Sequence, residues 1–143
     1  AVAATKAALE EGIVAGGGVT LVNLAGSLDT TGADSLAAGR SIVKSALTQP
    51  FRQLMLNAGL NADALLAQVQ AAKAGHGIDV NKPEKLVDLK TAGVVDPAAV
   101  TRQAVQNAVS IAATAMTMGA LVVDVPEPDA PAGGGMPGGM GMM

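Results

Sequence analysis

Aromatic residues are almost absent from this sequence of 143 residues, which contains one phenylalanine, Phe51, and neither tryptophan nor tyrosine. Because aromatic side chains bury the most area per residue, a core without them must be built from aliphatic side chains and methionine. The hydrophobic fraction is 50%, and the length is that of one ordinary domain. The sequence therefore predicts helices that pack closely through alanine-rich faces.

Cysteine is also absent, so neither a disulfide framework nor a thiolate metal site can form. His76 is the single histidine, which excludes a histidine-rich metal site, and the sequence shows no base–nucleophile pair that would form a triad with Ser or Thr. The methionines near the carboxyl terminus lie among glycines without histidine or cysteine, which argues against a soft-metal site. We expect no metal ligand in this chain.

Positive charge is scarce: nine Lys and Arg residues are scattered along the chain against twelve Asp and Glu residues. A nucleic-acid partner would require clustered basic residues, so we expect none. The longest apolar stretch, residues 108–123, is interrupted by polar residues and is shorter than the roughly 20 residues of a membrane span. No signal peptide is visible at the start, which favours a cytoplasmic location. The opening helix has no capping residue before it, which favours the interpretation that the sequence is a piece of a longer chain.

Apolar residues at helical spacing, together with glycine and proline positions, predict a mainly α fold. Seven helices are expected, at residues 1–11, 19–25, 33–47, 50–57, 62–74, 83–90 and 97–118, and Asn61 is positioned to cap the helix at 62–74. Residues 76–81 predict a short strand or hairpin, and residues 121–125 have the composition of a terminal strand that lacks a partner. From residue 126 the chain turns to Pro, Gly, Ala and Met, which predicts a disordered tail over 126–143.

The helical spacing also predicts which sides of two helices are buried. On the third helix these residues are Leu36, Ile42, Val43, Ala46 and Leu47, and on the last helix they are Val100, Ala104, Val105, Ala108, Val109, Ala112 and Met116.

Two short segments could carry a ligand. The glycines Gly16, Gly17 and Gly18 precede a helix, where a small backbone and unpaired amide hydrogens suit a bound group. Taken alone, however, they are more often explained by a tight turn between packed helices. Asp96 precedes Pro97 and a long helix, so it could be a helix cap, a ligand for sugar hydroxyls, or both.

The combination of segments resembles the carboxy-terminal half of the equatorial domain of GroEL-type, or group I, chaperonins. The similarity covers nearly the whole chain and rests on AATKAALEEGIVAGGGVTL, PFRQLMLNAG, AGVVDPAAVTRQAVQNA and the ending GGGMPGGMGMM. It implies that residues 1–125 form the carboxy-terminal part of the ATP-binding equatorial domain, a helical bundle with a short hairpin and one terminal strand.

The resemblance also implies a partial ATP site with Mg²⁺ as a cofactor. Its ATP-binding residues would be Gly16, Gly17, Asp79, Val80, Asn81 and Asp96. Gly17 would contact ATP, Asp96 would bond the ribose, and the 79–81 turn would cover the adenine, although these three residues depart from the usual pattern. The Mg²⁺ ligand and the catalytic carboxylates would lie outside this chain, so no residue here is expected to be catalytic and the fragment alone is expected to be inactive.

The implied partners are identical subunits in a seven-membered ring or double ring, a co-chaperonin lid of the GroES type, and non-native polypeptides. The resemblance matches Arg52 to a residue of the contact between rings, whose usual glutamate partner is replaced here by Asn61. Two other interpretations remain open from the residues alone. The chain could be a helical oligomerisation module without nucleotide binding, or a stand-alone nucleotide-binding enzyme.

Overall fold

A computed structural model describes residues 2–125. It contains six helices and four short strands in this part of the chain. In chain order they are α1 (Val2–Glu11), β1 (Ile13–Ala15), α2 (Val19–Ser27), α3 (Ser35–Leu47), α4 (Gln49–Asn57), α5 (Ala62–Ala71), β2 (His76–Ile78), β3 (Leu86–Asp88), β4 (Val95–Pro97) and α6 (Ala98–Met116).

Two of the helix starts are capped by side chains. Asp34 Oδ1 accepts a hydrogen bond from the Ala37 amide at 2.8 Å at the start of α3, and Asn61 Oδ1 accepts one from the Ala64 amide at 3.1 Å at the start of α5. Such caps satisfy amide hydrogens that a helix start leaves unpaired. The predicted cap at Asn61 is therefore confirmed.

The strands form two separate antiparallel pairs. β1 pairs with β4, with Val14 opposite Asp96 and Ala15 opposite Val95, and β2 pairs with β3, with Gly77 opposite Val87. The first pair joins residues 80 to 84 positions apart, so it aligns the strand before the glycine triplet with the Asp96 segment.

The core surrounds Phe51, the single aromatic residue, which is fully buried. It is packed with aliphatic side chains and one methionine from α2, α4 and α5, from β1 and β2, and from the segment after β3. The buried members are Ala15, Val19, Val22, Phe51, Met55, Ala62, Leu66, Val69, Ile78 and Leu89. This aliphatic composition is the one that the sequence predicts.

Two of the predicted elements are wrong. Residues 83–90 were expected to be a helix, but Leu86–Asp88 form β3, because their backbone pairs with His76–Ile78 across a turn. Residues 121–125 were expected to be a terminal strand, but they form no strand within the described chain, and Leu121 and Val122 are exposed at 77% and 93%. The tail predicted over 126–143 lies outside the described residues.

The predicted buried sides of α3 and α6 are also largely exposed. Only Ala99 is buried on α6, and Ile42 on α3 is 62% exposed. These sides line an apolar groove of about 600 Å³ between α3 and α6, formed by Leu21, Gly39, Ile42, Val43, Ala46, Leu47, Pro50, Ala104, Val105, Ala108, Val109, Ala112, Ala113 and Met116. The spacing correctly identified an apolar face, but nothing in the described chain covers it.

Ion pairs tie two pairs of helices together. Arg102 Nη2 on α6 lies 2.7 Å from Glu11 Oε1 at the end of α1, and Arg52 on α4 pairs with Asp63 on α5.

No helix within residues 2–125 has both the length and the apolar character needed to cross a membrane.

Candidate functional site

The glycine triplet forms the turn between β1 and α2. The Gly16 amide donates to the Val94 carbonyl at 3.0 Å, which continues the β1–β4 pairing by one residue. The Val19 amide then donates to the Gly16 carbonyl at 3.1 Å as α2 begins. Within the described chain, the amides of Gly17 and Gly18 donate to no backbone carbonyl. Two free donors therefore lie at the amino-terminal end of a helix, where the helix dipole favours negative charge.

The three glycines meet different surroundings. A Cβ on Gly16 would lie 3.1 Å from the Val95 nitrogen, which is a tight contact, and a Cβ on Gly18 would lie 2.9 Å from the Phe51 nitrogen, where the backbone leaves no room. Gly17 has φ +63°, but a Cβ there would meet nothing within 4 Å. Packing explains Gly16 and Gly18, whereas Gly17 borders open space.

Asp96 lies in β4 and does not cap α6. The residue before α6 is Pro97, and no side chain caps this helix start. Asp96 is half-buried, and its carboxylate accepts no hydrogen bond within residues 2–125. The interpretation of Asp96 as a helix cap is therefore wrong. β4 extends through Pro97, so Pro97 occupies the N-cap position of α6 and Asp96 lies one residue before it. Its two oxygens keep their full capacity to accept hydrogen bonds.

Asp79, Val80 and Asn81 form the turn that follows β2. Asp79 Oδ1 accepts from the Asn81 amide at 3.0 Å and from Asn81 Nδ2 at 3.2 Å, and the Asp79 carbonyl accepts from the Lys82 amide at 2.9 Å. Val80 is 46% exposed. One carboxylate oxygen of Asp79 is thus engaged by its own turn, while the other accepts no hydrogen bond in the described chain.

The β2–β3 hairpin is held against the start of α2. A Cβ on Gly77 would overlap the Val19 side chain and would lie 2.8 Å from Leu89 Cδ1, so this glycine permits a close approach. The Val94 amide donates to the Leu89 carbonyl at 2.8 Å, which links the segment after β3 to the Asp96 strand. The hairpin therefore contacts Val19, the first residue of α2, and the Asp96 segment is hydrogen-bonded both to the residue after the hairpin and to the glycine turn.

Sequence reasoning did not identify Gly77, because its role depends on two side chains far away in sequence. It also missed Asp63, which pairs with Arg52 across α4 and α5. In the described chain no three acidic or histidine side chains gather as a metal site would require. Arg52 and Asp63 instead line a separate, half-polar depression of about 520 Å³.

Comparison with known proteins identifies the family. A model of the TCP-1/cpn60 chaperonin family matches residues 1–126. The chain belongs to this chaperonin family.

Among solved structures, a group III chaperonin in the open state resembles this chaperonin chain with a TM-score of 0.71 and 30% sequence identity. The similarity covers 81% of this chain and 25% of the other, so the present chain spans about a quarter of that chaperonin's length. The mainly helical equatorial-domain fold is thereby confirmed. The similar structure belongs to group III, so it does not support the assignment to group I.

Proposed function

We propose that this chain supplies one wall of the ATP site of a chaperonin subunit. The observation that carries the proposal is the β1–β4 pairing, which joins Gly16 to Val94 and aligns Val14 with Asp96. The glycine turn that follows β1 carries two free backbone donors and open space at Gly17, and Asp96 in the paired strand β4 has an unpartnered carboxylate. Nucleotides present the complementary groups, namely phosphate oxygens and ribose hydroxyls.

In this proposal Gly17 allows the nucleotide to approach the backbone, and Gly16 keeps the turn pressed against β4. The Gly17 and Gly18 amides favour a negatively charged ligand because they add to the positive end of α2. Asp96 accepts hydrogen bonds from the ribose hydroxyls, a role for which both of its oxygens remain available.

The turn of Asp79, Val80 and Asn81 is proposed to cover the adenine. Val80 offers an exposed apolar side chain for a flat ring, and Asp79 has one free carboxylate oxygen. A carboxylate only accepts hydrogen bonds, so it suits the amino group of adenine. The hairpin's close approach at Gly77 fixes this turn relative to the start of α2.

Hydrolysis is assigned to the complete subunit. Phosphoryl transfer requires metal ions and a carboxylate that positions the attacking water. We propose that the Mg²⁺ ligand and this carboxylate lie in parts of the polypeptide outside these 143 residues. The residues of this chain bind and orient the nucleotide, and none of them transfers a proton or coordinates the metal.

We further propose that the complete protein is a group I chaperonin. The support is the set of motifs EEGIVAGGG, VDPAAVTR and GGGMPGGMGMM. On this proposal the subunit works in the cytoplasm in a seven-membered single or double ring, and a lid of the GroES type closes over non-native polypeptides. Arg52 would face the second ring, but its pairing with Asp63 within the chain uses part of its guanidinium group.

The experiment that tests the site is a titration of the complete subunit with ATP. Asp96→Ala removes hydrogen bonds to a charged acceptor, so we expect ATP affinity to fall roughly 10- to 100-fold. Gly17→Trp should also weaken binding, because it fills the open space beside the turn. Calorimetry measures both, and circular dichroism verifies that the variants are folded.

Gly26→Ala is the matched control, since this exposed helical glycine has no atom within 4 Å of a Cβ and lies on α2 away from the turn. Unchanged affinity in both the Gly17 and the Asp96 variants would refute the proposed pocket. In that case a helical oligomerisation module without nucleotide binding becomes the better hypothesis, which the exposed apolar groove favours.

A further inference from the structure

We draw no further inference here: the strongest candidate, the apolar groove between α3 and α6, carries none, because nothing in the structure shows what covers it and the packing of further helices of the ATP-binding domain over such a face is an established property of chaperonins.

Discussion

Gly16, Gly17 and Gly18 are adjacent in sequence, but the fold requires them for different reasons. Gly16 allows a close approach of the Val94–Val95 backbone, and Gly18 avoids a clash with the Phe51 backbone while its φ is +75°. Gly17 has only the conformational requirement, with φ +63° and no neighbour. A substitution at Gly17 should therefore measure the cost of backbone strain alone, whereas the same substitution at Gly18 adds the cost of a steric clash.

We expect Gly17→Ala to lower the free energy of unfolding by about 1 kcal/mol, because a left-handed backbone is costly for a residue with a Cβ. Gly18→Ala should cost more than about 2 kcal/mol, since overlap with the Phe51 backbone adds to the same strain. Urea denaturation of the 143-residue chain measures both values.

The control for this pair is Gly26→Ala on α2, which should raise stability by about 0.5–1 kcal/mol because alanine favours helix. Equal losses for Gly17→Ala and Gly18→Ala would contradict the assigned contact with Phe51.

Asp29 has a lowered pKa because its Oδ1 accepts from the Thr31 hydroxyl at 2.6 Å and from the Thr31 amide at 2.9 Å. Thr31→Val removes the hydroxyl bond and should raise this pKa toward its ordinary value. A carboxyl with a lowered folded pKa stabilises the fold above its unfolded pKa, about 3.9, and the contribution disappears as the pH falls through the folded value. The stability difference between the two proteins should therefore shrink as the pH falls through that range.

A pH titration followed by NMR measures the Asp29 pKa. Asp88 provides an internal control, because its pKa is lowered mainly by the backbone amide of Thr91, far along the chain from Thr31. A Thr31→Val variant in which Asp29 titrates as in the wild type would show that the hydroxyl bond is not the cause.

At the scale of elements, the best-predicted features are those that depend on neighbouring residues. α4 ends near Asn57, before Gly59, and Asn61 caps α5, as expected from glycine and cap chemistry that acts over a few residues. β3 was missed, because its strand character depends on pairing with β2 and not on its own amphipathic pattern. Local propensity is a weak guide wherever a partner strand decides the backbone conformation.

Each cap of α3 and α5 should contribute about 1 kcal/mol to the free energy of unfolding. We expect Asp34→Ala and Asn61→Ala each to lose this amount, because each removes the acceptor for one amide at a helix start. Thermal or urea unfolding gives the values.

Asp34→Asn keeps an acceptor oxygen and should stay close to the wild type. If it were as destabilising as Asp34→Ala, charge rather than the cap would explain the effect. The two caps lie on different helices, so the double alanine variant should lose about the sum of the two single losses.

At the scale of the whole molecule, residues 2–125 form a well-packed half around Phe51 and a second side, between α3 and α6, that no other part of this range covers. The residues of the candidate site could be named from sequence because they are short motifs in a recognisable order. The pairing of their segments could not be deduced from the residues alone, because β1 and β4 join positions 80 to 84 residues apart. The exposed side of α6 was mispredicted because helical spacing shows that a face is apolar but not what covers it.

We expect the 143-residue chain to show no steady release of phosphate from ATP, because the proposed catalytic carboxylate and Mg²⁺ ligand lie outside it. A coupled phosphate assay at saturating ATP and Mg²⁺ tests this, with the complete subunit as the positive control. Sustained turnover by a pure sample of the chain, removed by Asp96→Ala, would contradict the division of roles between this chain and the rest of the polypeptide.

The burial of Phe51 beneath Gly18 has a practical consequence for spectroscopy. With no tryptophan or tyrosine in the chain, the carbon-bound ring protons in a proton NMR spectrum belong only to Phe51 and His76, and deuterium oxide removes the overlapping N–H signals. The Phe51 signals are therefore identified without any assignment variant. Since the Phe51 backbone touches the glycine turn, their chemical shifts should serve as a built-in reporter of what happens at that turn when a nucleotide is added.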